Sequence, residues 1–89
     1  MKRSAQNADR ARCAAQALHA YRIAIGDEDD FAAIRDLIAD LGHYADRHDI
    51  EFLDCVARAI GSWALEQKDP TSAEALPLVA IRIGQDGDA

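Results

Sequence analysis

The chain has 89 residues, of which 49% are hydrophobic and 29% are charged, and its formal net charge is −6. This length predicts one domain with a modest core. The charge is uneven, because residues 1–25 carry five bases and one acid while residues 26–69 carry twelve acids and four bases. An acidic body disfavours ordinary nucleic-acid binding, which needs clustered Lys and Arg. A basic arm beside an acidic body favours head-to-tail contacts between chains.

Targeting signals and cysteine motifs are missing from the sequence. The start, MKRSAQNADRARC, lacks the apolar segment of a secretory signal, and no apolar run approaches the ~20 residues of a membrane span. Cys13 and Cys55 form no CxxC pair, which disfavours a zinc or thioredoxin-like site. We therefore expect a cytoplasmic protein with two buried, reduced thiols and no membrane association.

Apolar periodicity predicts an all-α domain over residues 1–69, with helices at about 7–25, 30–47 and 51–67. Gly26 is typical of a helix end, and Asp29 or Asp30 is a suitable N-cap for helix 2. A tight corner over residues 48–51 predicts Asp49 or Glu51 as the N-cap region of helix 3. The expected core positions repeat at steps of three and four residues: Ala11, Ala14, Leu18, Tyr21 and Ile25; Phe31, Ile34, Ile38, Leu41 and Ala45, widened by Leu37, Tyr44 and His48; and Phe52, Val56, Ala59, Ile60 and Trp63.

Residues 70–89 predict a short C-terminal arm that begins at Pro70. Its apolar segment, residues 76–83, is rich in β-branched side chains, and the end GQDGDA is expected to fray. A lone strand has no partner in a helical chain, so it either packs as an extended arm or pairs with another chain. The predicted oligomer-forming side chains are Leu78, Val79, Ile81 and Ile83.

The pattern of helices 2 and 3 resembles a group of short all-helical proteins encoded on bacterial plasmids, phages and integrated elements. The resemblance covers roughly residues 18–67 and consists of a D-L-x-x-D-L-x-H-x-x-D segment, a short corner, an acid-Phe pair and an aromatic-x-x-Glu ending. The matching positions are Asp36, Leu37, Asp40, Leu41, His43, Asp46, Glu51, Phe52, Trp63 and Glu66. The resemblance implies a helical fold, and the LPLVAIRI segment lies outside it.

Four polar residues, Asp36, Asp40, His43 and Arg47, fall on one side of helix 2, opposite the apolar stripe. A solvated surface with weak i, i+3 and i, i+4 pairs is the simplest interpretation. A partner-binding surface and a divalent metal site are the alternatives. No nucleophile accompanies His43 on this helix, so we predict no enzyme activity, and we predict no metal or cofactor.

The function predicted from the sequence is a non-catalytic protein-binding module of a mobile genetic element. Its acidic helical surface would inhibit or assist a larger complex, such as a nucleic-acid-binding host-defence complex targeted in the anti-CRISPR manner. The expected contact residues are Asp29, Asp30, Asp36, Asp40, His43, Asp46, Arg47 and Glu51. One alternative is a structural or regulatory homo-oligomer, most simply a homodimer. Another is a DNA-associated accessory protein that uses Arg3, Arg10 and Arg12.

Overall fold

The protein folds into three α-helices in a computed structural model that describes residues 3–26, 29–69, 71 and 79–84. Helix α1 spans Arg3–Ile25, α2 spans Asp30–Arg47 and α3 spans Phe52–Lys68. No strand occurs in the described residues. The predicted all-α class and the three helices are confirmed.

The ends of α1 follow from local backbone chemistry. The helix begins at Arg3, earlier than the predicted start near residue 7, because Ala5 and Gln6 are good helix formers that extend the first turns. It ends at Gly26, whose φ of +105° lies in the region open to glycine. The Gly26 N–H donates to the Arg22 carbonyl at 2.9 Å and closes the last turn.

The corner between α2 and α3 is a tight left-handed turn. Asp49 has φ +55°, and the N–H groups of His48 and Ile50 both donate to the Ala45 carbonyl, at 3.1 and 3.0 Å. The Ile50 bond is the one that joins C″ to C3 in a Schellman-type helix end, in which glycine is the usual left-handed residue. Glu51 then occupies the N-cap position of α3 without a side-chain capping bond.

Helix α2 lies between α1 and α3 and contacts both. On the α3 side, the Phe52 ring approaches Gly42 so closely that a Cβ there would meet three ring carbons at 3.1–3.5 Å. On the α1 side, the Tyr21 hydroxyl donates to Asp40 Oδ2 at 2.5 Å. Arg22 forms a 2.8 Å ion pair with Asp30.

Helices α1 and α3 meet through polar contacts at one end of the bundle. The Asn7 side-chain amide donates to the Glu66 carbonyl at 3.0 Å, and Arg10 lies 3.7 Å from the Glu66 carboxylate. The fold is therefore closed by hydrogen bonds at this end, while the middle of the bundle stays open.

The isolated chain buries very little. Among the described residues, the only hydrophobic residues classed as buried are Ala33 and Ala45, together with Gly61 of α3.

The residues of the predicted core stripes share helix faces as expected, but the prediction that they form a buried core is wrong. Phe31 is 78% exposed, Trp63 is 60% exposed, and Leu41 is 48% exposed. The remaining stripe residues with exposed large side chains are Ile25, Ile34, Ile38, Tyr44 and Ile60. The reason is that α1 packs on α2, where its exposed alanines line open space, and it does not cover the seam between α2 and α3.

The predicted oligomer arm is described only in part. Residues 79–84 have no regular secondary structure; Val79 is half-buried, and Ile81 and Ile83 are exposed. Leu78 lies outside the described residues. Within the described ranges, no helix combines the length and apolar character needed to cross a bilayer.

Candidate protein-binding site

An apolar groove of about 450 Å³ runs between α2 and α3. We call it the α2–α3 groove. Its walls come from one face of each helix and from the corner between them, and all of its side chains are apolar, aromatic or thiol-bearing. They are Ile38, Leu41, Tyr44, Ala45, Ile50, Phe52, Cys55, Val56, Ala59, Ile60 and Trp63.

The large side chains of the α2–α3 groove are half in solvent. Six of them, Ile38, Leu41, Tyr44, Ile50, Ile60 and Trp63, are 39–60% exposed. At roughly 150–200 Å² per large side chain, their exposed parts come to on the order of 500 Å² of apolar surface. The largest apolar patch on a typical monomer is about 300–600 Å² and is often functional.

A second groove of about 580 Å³ lies between α1 and α2. Ile38 and Leu41 belong to both grooves, so the apolar stripe of α2 is the ridge between them. The second groove is edged by His19, Arg22 and Asp30. Because its edges are polar, the purely apolar α2–α3 groove is the stronger candidate for a protein contact.

The two ends of the α2–α3 groove differ in charge. At the corner, Ile50 sits between Asp49 and Glu51 in the chain, and Asp46 precedes them by one turn of α2. These three carboxylates are exposed and form no ion pair within the described residues. At the other end, Trp63 shares a cavity with Arg10 of α1 and Glu66 of α3, which form an ion pair. The groove therefore runs from an acidic corner to an end where one cation lies beside one carboxylate.

Several residues of the predicted acidic surface are engaged within the chain. Asp29 caps α2, and its Oδ1 accepts the Ala32 N–H at 2.8 Å. Asp30 pairs with Arg22, Asp40 accepts the Tyr21 hydroxyl, and Asp36 lies 3.2 Å from the neighbouring Arg35. Within the described ranges, Asp46 and Glu51 remain the predicted carboxylates that face solvent without such a partner.

His43 and Arg47 are exposed on α2, and Asp40 turns to Tyr21 of α1 rather than to His43. In the described ranges, no three His, Cys, Asp or Glu side chains come close enough to hold a metal ion. His48 stacks on Tyr44 with ring centroids 4.1 Å apart, which extends the aromatic surface at the corner.

The cationic side chains of α1 are also partly engaged. Arg12 forms an ion pair with Asp9. Arg10 lies beside Glu66 and donates a hydrogen bond to Asn7 Oδ1 at 2.7 Å. The side chain of Arg3 lies outside the described part of the structure. The grouped cations that phosphate binding requires are thus partly neutralised by neighbouring carboxylates.

The two cysteines are free, as expected, but both are exposed. The expectation of buried thiols is wrong because Cys55 faces the uncovered α2–α3 groove and Cys13 lies on the solvent side of α1. Sequence reasoning missed the groove itself; the available signal was the alanine content of α1, because helices rich in Ala bury little area per residue.

No protein-family model, no curated protein and no solved structure matches this chain in sequence or fold comparisons. The resemblance to proteins of mobile elements stays a prediction.

Proposed function

We propose that the protein is a non-catalytic protein-binding module that uses the α2–α3 groove as its docking surface. The observation that carries the proposal is the set of half-exposed Ile, Leu, Tyr and Trp side chains along the groove. Exposed apolar patches of this size mark sites of association, and a groove between two helices suits the apolar face of a third.

The partner segment is a helix with large apolar residues at spacings of three and four and with basic residues at one end. The apolar spacing follows from the groove's lining, which is free of Asp, Glu, Lys and Arg. The basic end follows from Asp46, Asp49 and Glu51 at the corner, which attract cationic side chains and repel acidic ones.

This partner chemistry also suits the function predicted from the sequence. A larger complex with a basic surface, such as a nucleic-acid-binding complex of host defence, offers cations to the corner carboxylates, and its capture by a mobile-element protein would inhibit or assist that complex. We propose the cytoplasm as the compartment, because a reducing environment keeps two exposed thiols free.

In-cell photo-crosslinking tests the proposal. A photoreactive residue replaces Leu41 in the groove, and the control replaces Arg35, which is exposed on α2 and lines none of the cavities described above. We expect the Leu41 probe to form discrete adducts that mass spectrometry maps to an apolar helix face, and the Arg35 probe to form none. Equal labelling by both probes, or none by either, would contradict the proposal.

A further inference from the structure

We infer that the occupant of the α2–α3 groove is a second copy of this chain, and that two copies form a four-helix bundle from their α2–α3 hairpins. This inference rests on the proposed function, that the groove binds protein, and it assigns the groove to a second copy in place of a helix from a larger complex. It starts from the sparse core, since Ala33, Ala45 and Gly61 are the buried apolar positions of the described residues.

A chain with so little buried surface needs its partner in order to stay folded. Domains of this size are marginal even when they bury an ordinary core, and the buried apolar positions of the described residues are here two alanines and a glycine. A second copy meets the need because it is present wherever the first is made. Obligate homodimers have this property: their protomers fold and associate together.

The exposed apolar side chains contribute area to a dimer interface. Counted over all their faces, the six large side chains expose on the order of 500 Å² per chain, which is an upper bound on their share of the ~800 Å² per partner that a stable interface buries. In a two-fold interface the same patch contacts itself. The groove is suited to this because its lining carries no carboxylate, guanidinium or ammonium group that would meet a copy of itself.

Two-fold symmetry also determines which charged groups of the two copies lie close together. An axis across the groove reverses its direction, so the acidic corner of one copy lies at the Trp63 end of the other. Each corner, with Asp49 and Glu51, then lies near the Arg10–Glu66 pair of its partner, where Arg10 is the cation that the corner carboxylates attract.

The test is the mass of the purified full-length chain by sedimentation equilibrium across low to high micromolar concentration. We expect a dimer whose dissociation constant rises at least ~100-fold in Leu41→Glu. The matched control Arg58→Glu changes an exposed α3 side chain that pairs with Asp54 away from the groove. It should leave the dissociation constant within about twofold. Circular dichroism reports whether each variant keeps its helices.

A charge exchange tests the orientation without disturbing the apolar contact. Glu51→Lys and Arg10→Glu should each raise the dissociation constant by about 5–10-fold, and the double variant should recover most of that loss. The intramolecular Arg10–Glu66 pair is broken in both Arg10 variants, so recovery reports a contact between copies. Losses that simply multiply in the double variant would overturn this arrangement.

A chain of monomer mass at every concentration would overturn the second copy as occupant. If that monomer shields Trp63 from acrylamide quenching, the occupant is the chain's own C-terminal arm. If Trp63 is open to quencher in the monomer but Leu41 photo-crosslinks to another protein in cells, the proposed function survives with a different partner. If neither happens, both the inference and the proposed function fail.

Discussion

The ring of Phe52 lies against the backbone of Gly42, where a Cβ would approach its carbons to 3.1 Å. This contact holds α2 and α3 close together at the corner end of the α2–α3 groove. It also gives the mid-helix glycine a reason, because a Cβ at this position would require the Phe52 ring to shift by a few tenths of an ångström.

Replacement of Gly42 by Ala should lower stability even though Ala is the better helix former by about 1 kcal/mol. Overpacking against a ring typically costs about 1–3 kcal/mol, so we expect a net loss of about 1 kcal/mol in urea unfolding at fixed chain concentration. The control is the same replacement in a Phe52→Leu background, where the obstacle is gone and Gly42→Ala should become stabilising. The same sign in both backgrounds would show that the Phe52 contact does not constrain the helix pair.

Asp49 should prefer replacement by Gly over replacement by Ala. Its φ of +55° costs a residue with a Cβ about 1 kcal/mol, so Asp49→Gly should be more stable than Asp49→Ala by that amount, although both remove the same charge. At Asp46, inside α2, the order should reverse because Gly is the poorer helix former. Thermal unfolding of the four variants is the measurement, and one common order at both positions would argue against the left-handed corner.

The two N-caps should differ in their sensitivity to mutation. Asp29 accepts the Ala32 N–H at 2.8 Å, so Asp29→Ala should lose about 1 kcal/mol. Glu51 makes no side-chain capping bond, and Glu51→Ala should change the unfolding free energy of the chain by only a few tenths of a kcal/mol through its charge near the helix end. Equal losses at the two positions would mean that the capping bond of Asp29 contributes nothing.

The Tyr21 hydroxyl should contribute to the α1–α2 contact. Its bond to Asp40 at 2.5 Å is exposed, so we expect Tyr21→Phe to lose about 0.5–1 kcal/mol. Tyr44→Phe is the matched control, since the Tyr44 ring stacks on His48 and no hydrogen bond of its hydroxyl occurs in the described structure. Unfolding of the helices, monitored by circular dichroism, should give a lower midpoint for Tyr21→Phe than for Tyr44→Phe. Identical midpoints would show that the Tyr21–Asp40 hydrogen bond does not stabilise the fold.

The helices and their apolar faces could be predicted from the sequence because both depend on short-range periodicity and end signals. The start of α2 after Asp29 and its end at Arg47 agree with the structure. Burial could not be predicted in this way. The apolar periodicity at Leu41 and Trp63 is the same for a core residue as for an interface residue. Which of the two they are depends on where α1 packs.

The contacts of the predicted acidic surface likewise could not be predicted from the sequence. Asp36 and Asp40 share a face with His43 by helix geometry, but Tyr21 of α1 reaches Asp40, and no spacing within α2 reveals that contact. The charge at the corner was visible as a run of acids. Its relation to the groove came only from the left-handed turn at Asp49, which places Ile50 in the groove wall.

The covering of the α2–α3 groove by a second copy is tested most directly by the reactivity of the two cysteines. Cys55 lines the groove and Cys13 lies on α1, so one alkylation experiment on the native chain contains its own control, with rates normalised to the denatured protein. If a second copy covers the groove, Cys55 should be alkylated at least ~10-fold more slowly than Cys13 at high concentration, and dilution should remove the difference. Equal normalised rates for both thiols at every concentration would contradict it.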